Sequence, residues 1–199
     1  MPGVALVFLS VYGALALVGR IALQLRRTGS TGVHVPTGIE WLSGVLLVGG
    51  FALATCGPAL AASDALEPIS AIDGSVTNAA GIGLAAGGMA TTVAAQLAMG
   101  KDWRIGVEES ERTDLVTGGP FAVVRNPIYS GMIPFFFGIT LLVPSALTIA
   151  GAVSVLAALE LQTRSVEEPY LLRTHGDAYA DYAARVGRFF PGLGKLRRR

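Results

Sequence analysis

The chain has 199 residues, of which 52% are hydrophobic and 15% charged, and its mean hydropathy is +0.57. An ordinary soluble domain carries about a quarter charged residues, so these proportions exclude a soluble enzyme and a disordered chain alike. The formal net charge of +1 is an average over charges that sit in blocks.

Met1–Gly19 is uncharged, and after Arg20 the stretch Ile21–Leu25 is apolar again apart from Gln24. No basic residue precedes the apolar stretch, so it reads as a retained span and not a signal peptide, with Arg20 snorkelling toward headgroups. Trp41–Ser63 and Gly74–Gly100 are also free of charge. Each suits one crossing, which needs roughly 20 apolar residues. The fourth uncharged run, Asn126–Leu159, has 34 residues and contains Pro134 and Pro144. As one helix it would be about 51 Å long, well over a ~30 Å hydrocarbon core. Pro144-Ser145 near its middle can start a tight turn, so the run is read as a helical hairpin over 127–143 and 145–161. Segment 101–125 is a connection holding Trp103, an interface anchor, and a Gly118-Gly119-Pro120 turn. Beyond Glu160, apolar and aromatic residues including Tyr170, Leu171, Tyr179, Tyr182 and Val186 recur every three to four positions, which predicts a helix lying on the membrane surface. Gly192–Arg199 is expected to be a loose basic end that favours anionic lipid.

Charge placement tests the span count. Loop 26–40 carries Arg26 and Arg27; loop 64–73 carries Asp64, Glu67 and Asp73 and no cation. Segment 101–125 carries Lys101, Arg104, Arg112 and Arg125, and the residues after 161 are rich in arginine. The positive-inside rule puts all but loop 64–73 in the cytoplasm. Both flanks of the 34-residue run are basic, so the chain crosses an even number of times there. The expectation is an all-α, multi-pass protein of the cell membrane: five spans, N-terminus outside and C-terminus cytoplasmic. It forms one integral-membrane domain, 1–99 supplying three spans and 100–199 the hairpin and the surface helix.

Cys56 is the only cysteine, and His34 and His175 the only histidines, so a disulfide and a Cys- or His-based metal site are not expected. Gly81-Ile82-Gly83 with Gly87 and Gly88 faintly resembles a dinucleotide fingerprint, but it lies inside an uncharged run, where small residues serve close helix packing. The informative place is the cytoplasmic end of the hairpin. Arg125-Asn126-Pro127-Ile128-Tyr129 stands on one side; Arg164 and Glu167-Glu168 stand on the other. A cation, an amide and a phenol would face two carboxylates at the membrane boundary. A purely structural account competes: Asn126 as N-cap, Pro127 at the first helical position, and Ser165-Val166-Glu167-Glu168 as a capping box.

The order of these residues resembles the integral-membrane methyltransferases that include isoprenylcysteine carboxyl methyltransferase and the phospholipid N-methyltransferases. The resemblance runs from Gln96 to Pro191. It rests on Gln96, Gly100-Lys101-Asp102-Trp103-Arg104-Ile105-Gly106-Val107, Leu115-Val116-Thr117-Gly118-Gly119-Pro120-Phe121 and Arg125-Asn126-Pro127-Ile128-Tyr129-Ser130-Gly131. It continues through Glu167-Glu168, Leu171, His175-Gly176, Tyr179, Tyr182, Arg185-Val186 and Arg188-Phe189-Phe190-Pro191. The resemblance implies S-adenosyl-L-methionine as methyl donor in a cytoplasm-facing pocket. Arg125, Asn126, Pro127 and Tyr129 would hold it from one helix and Glu167 and Glu168 from the other. Gly118, Pro120 and Phe121 would supply wall and backbone contacts, with Gln96 and Leu171 among the binding residues and Arg125 and Glu168 the catalytic ones. The family usually has His where this chain has Asn126, which can hydrogen-bond but cannot take up a proton.

The chemistry suits such residues. A carboxylate from Glu167 or Glu168 can bind the cofactor's ammonium, and Arg125 can bind its carboxylate in a forked geometry. An aromatic face such as Tyr129 or Phe121 suits the sulfonium. The implied acceptor is a lipidic small molecule, with membrane lipids as surroundings and no role for nucleic acid. Two other readings stay open: an NADPH-dependent membrane reductase drawing on Arg104, Arg112 and Arg185, and a non-enzymatic membrane protein.

Overall fold

The computed structural model describes residues 1–33, 36, 38–70, 74–100, 103 and 115–197. His34, Asp73, Lys101, Asp102, Arg104, the Ile105-Gly106-Val107 stretch, Arg112, Arg198 and Arg199 lie outside the described residues.

Every element of regular structure among them is helical, apart from one isolated parallel bridge between Val124 and Gly187. Helices α1 (Pro2–Tyr12) and α2 (Arg20–Thr28) run into one another through a π-helical stretch at Gly13–Gly19. Gly29, at φ +77°, stops the rod in the left-handed conformation that glycine adopts without strain. Next come α3 (Glu40–Ala62) and α4 (Ser75–Met99). The 34-residue run divides into α5 (Pro127–Leu142) and α6 (Ala146–Gln162). Among the described residues four helices are long and apolar enough to cross a membrane: Pro2–Thr28, Glu40–Ala62, Ser75–Met99 and Ala146–His175. The fifth, α5, has 16 residues, about 24 Å of helix, and only just reaches across.

The hairpin turns where Pro144 predicts it, and Ser145 closes a capping box. Its Oγ accepts from the Thr148 amide at 3.2 Å and Thr148 Oγ1 accepts from the Ser145 amide at 3.1 Å. The box expected at Ser165–Glu168 is absent. The chain is already helical there, continuing from α6 through a second π-helical stretch, Thr163–Glu167, into α7 (Glu168–His175). A mid-helix residue has no orphan amide to cap. Gly176, at φ +52°, separates α7 from α8 (Asp177–Arg185). At the far end of the bundle the Ile69 amide donates to the Pro144 carbonyl at 2.8 Å. The acidic loop and the hairpin turn therefore share one end, and the starts of α5 and α7 lie at the other.

Two glycine-lined seams hold the bundle. A Cβ on Gly88 would lie 2.5 Å from the Gly131 carbonyl oxygen, and one on Gly138 2.6 Å from that of Gly81. So α4 and α5 meet backbone to backbone at positions seven apart on both helices. Gly50 and Gly151 do the same for α3 and α6, and Gly57 leaves room for the Thr148 methyl. Between lipid-soluble helices such close approach, with its dispersion gain, substitutes for the hydrophobic effect. Gly83 and Gly87 face open space, so the apparent fingerprint is half seam and half outer surface. Four rings tie α1, α3 and α5 together: Tyr12 stacks on Phe135 at 4.0 Å, and Phe51 meets Phe136 edge-on at 4.6 Å.

Candidate active site

The site forms where α5 begins. Pro127 is buried at its first turn, and Asn126 is the N-cap, without a side-chain cap hydrogen bond. The residue before a proline prefers extended backbone, which lets Val124–Asn126 pair with a later strand-like segment. That segment is 186–188: the Arg125 amide donates to the Gly187 carbonyl at 2.8 Å and the Asn126 amide to that of Arg188 at 3.0 Å.

Arg125 is the hub. Its Nη1 donates to the carbonyls of Ala183 (3.0 Å) and Val186 (2.5 Å). Its Nη2 donates to Glu168 Oε1 (2.5 Å) and the Gly194 carbonyl (3.0 Å). Its Nε is buried without a partner. Glu168 is shared with a second guanidinium: Arg188 Nε reaches Oε1 at 2.9 Å and Nη2 reaches Oε2 at 2.8 Å. The side chains of Arg125, Glu168 and Arg188 are 1%, 7% and 8% exposed. The hydrogen bonds to Glu168 raise the Arg188 guanidinium above its ordinary value. A second carboxylate, Glu160 Oε2, lies 3.8 Å from Arg188 Nη1, so the two buried cations face one buried and one partly exposed carboxylate.

One turn further along α5, Tyr129 Oη donates to Glu167 Oε1 at 2.5 Å. Arg125–Glu168 and Tyr129–Glu167 thus form two rungs between the hairpin's two arms. On an α-helix, neighbours such as Glu167 and Glu168 point about 100° apart. The π turn ending at Glu167 spreads more residues over each turn, so the angle between neighbours shrinks and both carboxylates meet α5. Phe189 is buried against Tyr129, ring edge to face at 6.3 Å, and its carbonyl accepts from Ser130 Oγ at 2.7 Å. Tyr182 Oη donates to the Phe121 carbonyl at 2.6 Å, which fixes the Gly119–Ala122 turn. Burial pushes the Tyr182 hydroxyl up to about 12 and raises that of Tyr179 as well.

The structure therefore brings Arg125, Asn126, Pro127, Tyr129, Glu167 and Glu168 together, with Phe121 linked through Tyr182. Gly118 and Pro120 belong to the same turn, Gly118 being exposed. Leu171 packs half-buried beside Tyr179, Tyr182 and Ala183. Gln96 points elsewhere: its Nε2 donates at 2.8 Å to the Ala16 carbonyl, inside the first π stretch. A forked grip of Arg125 on a ligand is also not what the geometry offers, because both terminal nitrogens are engaged and Nε alone is left. Gly192–Arg199 is not loose over its described part: Leu196 donates to the Ala183 carbonyl at 3.0 Å, and Gly194 is held by Arg125. Sequence reasoning did not single out Arg188 as a site residue; its signal was an arginine placed directly before an apolar Phe-Phe-Pro stretch. Among the described residues no cluster of His, Cys, Asp and Glu is suited to a metal.

A family model described as phospholipid methyltransferase matches residues 76–178, just over half of the chain. The fold is similar to that of the eukaryotic intramembrane Ras methyltransferase, isoprenylcysteine carboxyl methyltransferase. The TM-score is 0.57 and the identity 21%, over 99% of this chain and 70% of that one. No curated protein matches. The matched region contains the hairpin, both rungs and the glycine seam of α4 with α5, and by it the chain belongs to the phospholipid methyltransferase family.

Proposed function

We propose that the protein transfers a methyl group from S-adenosyl-L-methionine to a lipidic acceptor at the cytoplasmic face of the membrane. The observation that carries this reading is the double rung at the start of α5, within the segment matched by the methyltransferase family. The donor set suits the cofactor. Glu167 is half-buried, so its carboxylate is placed to take an ammonium, and Tyr129 and Phe189 offer aromatic faces to a sulfonium. When bound, S-adenosylmethionine supplies an activated methyl group. The unpartnered Arg125 Nε–H can donate to a carboxylate, while Glu168 and Arg188 keep Arg125 in place. The Gly118–Phe121 turn, braced by Tyr182, lines the site with backbone. Asn126 cannot take up a proton, so the protein acts by orienting the reactants and excluding water. The test is calorimetric titration of the detergent-solubilised protein with S-adenosylhomocysteine and with NADPH, followed by transfer of labelled methyl to a total lipid extract. S-adenosylhomocysteine binding and labelled lipid are expected. NADPH binding without S-adenosylhomocysteine binding would replace this reading with a reductase.

A further inference from the structure

Residues 187–194 form a compact turn with two unlike faces. The Arg188 amide donates to the Leu193 carbonyl at 2.7 Å, and the Leu193 amide to that of Phe190 at 3.1 Å. Gly192 (φ +77°) and Gly194 (φ +71°) take left-handed conformations, and a Cβ on Gly187 would lie 2.1 Å from the Phe190 carbonyl oxygen. The inner face of this rigid turn is built into the site: Arg188 on Glu168, Phe189 on Tyr129, and the Gly194 carbonyl on Arg125. The outer face presents Phe190, 49% exposed, and Leu193, 66% exposed. Directly after them come Lys195 and Arg197, both exposed, and the sequence continues with Arg198 and Arg199. The depth of the turn is set by Ser130, whose hydroxyl holds the Phe189 carbonyl three residues into the apolar helix α5, about 5 Å from its start. Bulky apolar side chains on a tight turn, level with the beginning of a membrane helix and followed by cations, have the make-up of an interfacial anchor for an anionic lipid surface.

We propose that residues 187–197 are a membrane wedge. Phe190 and Leu193 enter the boundary between headgroups and hydrocarbon, Lys195 and Arg197 rest on anionic lipid phosphates, and this seating tightens the Arg125–Glu168–Arg188 cluster. Binding of the wedge to lipid is independent of the cofactor; only its effect on cofactor affinity rests on the proposed function.

The test uses the full chain in nanodiscs of phosphatidylcholine, alone or mixed with phosphatidylglycerol. An environment-sensitive fluorophore is attached at Leu193→Cys in a Cys56→Ser background, and lipids spin-labelled near the headgroup serve as quenchers. Blue-shifted emission, quenched by those lipids and more strongly with phosphatidylglycerol present, is expected. The pair Lys195→Gln and Arg197→Gln should lower the seated-to-unseated ratio roughly 25-fold in the anionic discs, about fivefold per charge. Aqueous emission indifferent to lipid composition overturns the wedge, and so does a label shielded from lipid and water quenchers alike, which marks a protein partner. Hydrogen exchange reads the coupling: the Arg125 and Asn126 amides should exchange more slowly in anionic discs, and equal rates overturn it. S-adenosylhomocysteine should bind more tightly in anionic discs. If it binds in neither, the proposed function fails while fluorescence and exchange still decide the wedge.

Discussion

Glu167 and Glu168 are neighbours with opposite expected phenotypes. Glu168→Gln removes the only carboxylate between two guanidiniums whose side chains are 1% and 8% exposed. The glutamine oxygen can accept from one of them, but the buried Arg125 then loses its carboxylate partner and Arg188 keeps only Glu160, 3.8 Å away. Breaking a buried pair in this way costs about 3–5 kcal/mol. That is a large part of a total stability of about 5–15 kcal/mol. Glu167→Gln keeps an acceptor for Tyr129 Oη, so its effect on folding should be small. It does remove the charge proposed to meet the cofactor's ammonium. A charge-assisted hydrogen bond contributes about 1.5–3 kcal/mol, so S-adenosylhomocysteine affinity should fall roughly 10- to 150-fold. The assay pairs thermal unfolding in detergent with calorimetry. Arg164→Gln is the control, because Arg164 is 61% exposed and ion pairs such as the one it makes with Glu160 contribute about 0–1 kcal/mol. If Glu168→Gln unfolds at the parent temperature, the buried cluster does not carry the load assigned to it. If Glu167→Gln binds as tightly as the parent, the ammonium is held elsewhere.

Topology is checked by single cysteines at Ala146 and Ser165 in a Cys56→Ser background, both exposed positions that spare the Ser145 cap. They should react with impermeant reagent from opposite faces of the membrane, and reaction from the same face would remove the hairpin. At the α4–α5 seam, Gly88→Ala places a methyl 2.5 Å from backbone and should destabilise by about 1–3 kcal/mol, whereas Gly87→Ala, facing open space, should be nearly silent in thermal unfolding.

Much of the fold is legible because lipid imposes simple rules. Uncharged runs of fixed length become helices, and Pro144 divides the one run that is too long. The meeting of Arg125 and Tyr129 with the glutamate pair follows once the hairpin is accepted. What escapes the sequence is local helix register. Neither π stretch has a compositional signature, yet one directs Gln96 to the Ala16 carbonyl and the other turns both Glu167 and Glu168 toward α5. Ser165 has the residues of a capping box but not the helix end that would need one, whereas Ser145 has both. The saturation of Arg125 was hidden for another reason: its carbonyl partners lie 58, 61 and 69 residues away and are backbone atoms, which carry no residue-type signal.

That separation bears on the order in which the molecule is assembled during synthesis. Arg125 and Glu168 can meet as soon as α5 and α6 close on each other. Arg188 and the carbonyl of Gly194 emerge up to 26 residues after Glu168, a delay of about 1–5 s at ordinary elongation rates. During that interval the arginine at the head of α5 has one of its terminal donors paired and the others in water. Docking of residues 186–194 converts a hydrated ion pair into a buried cluster, so this turn seals the site only after both arms of the hairpin are in place.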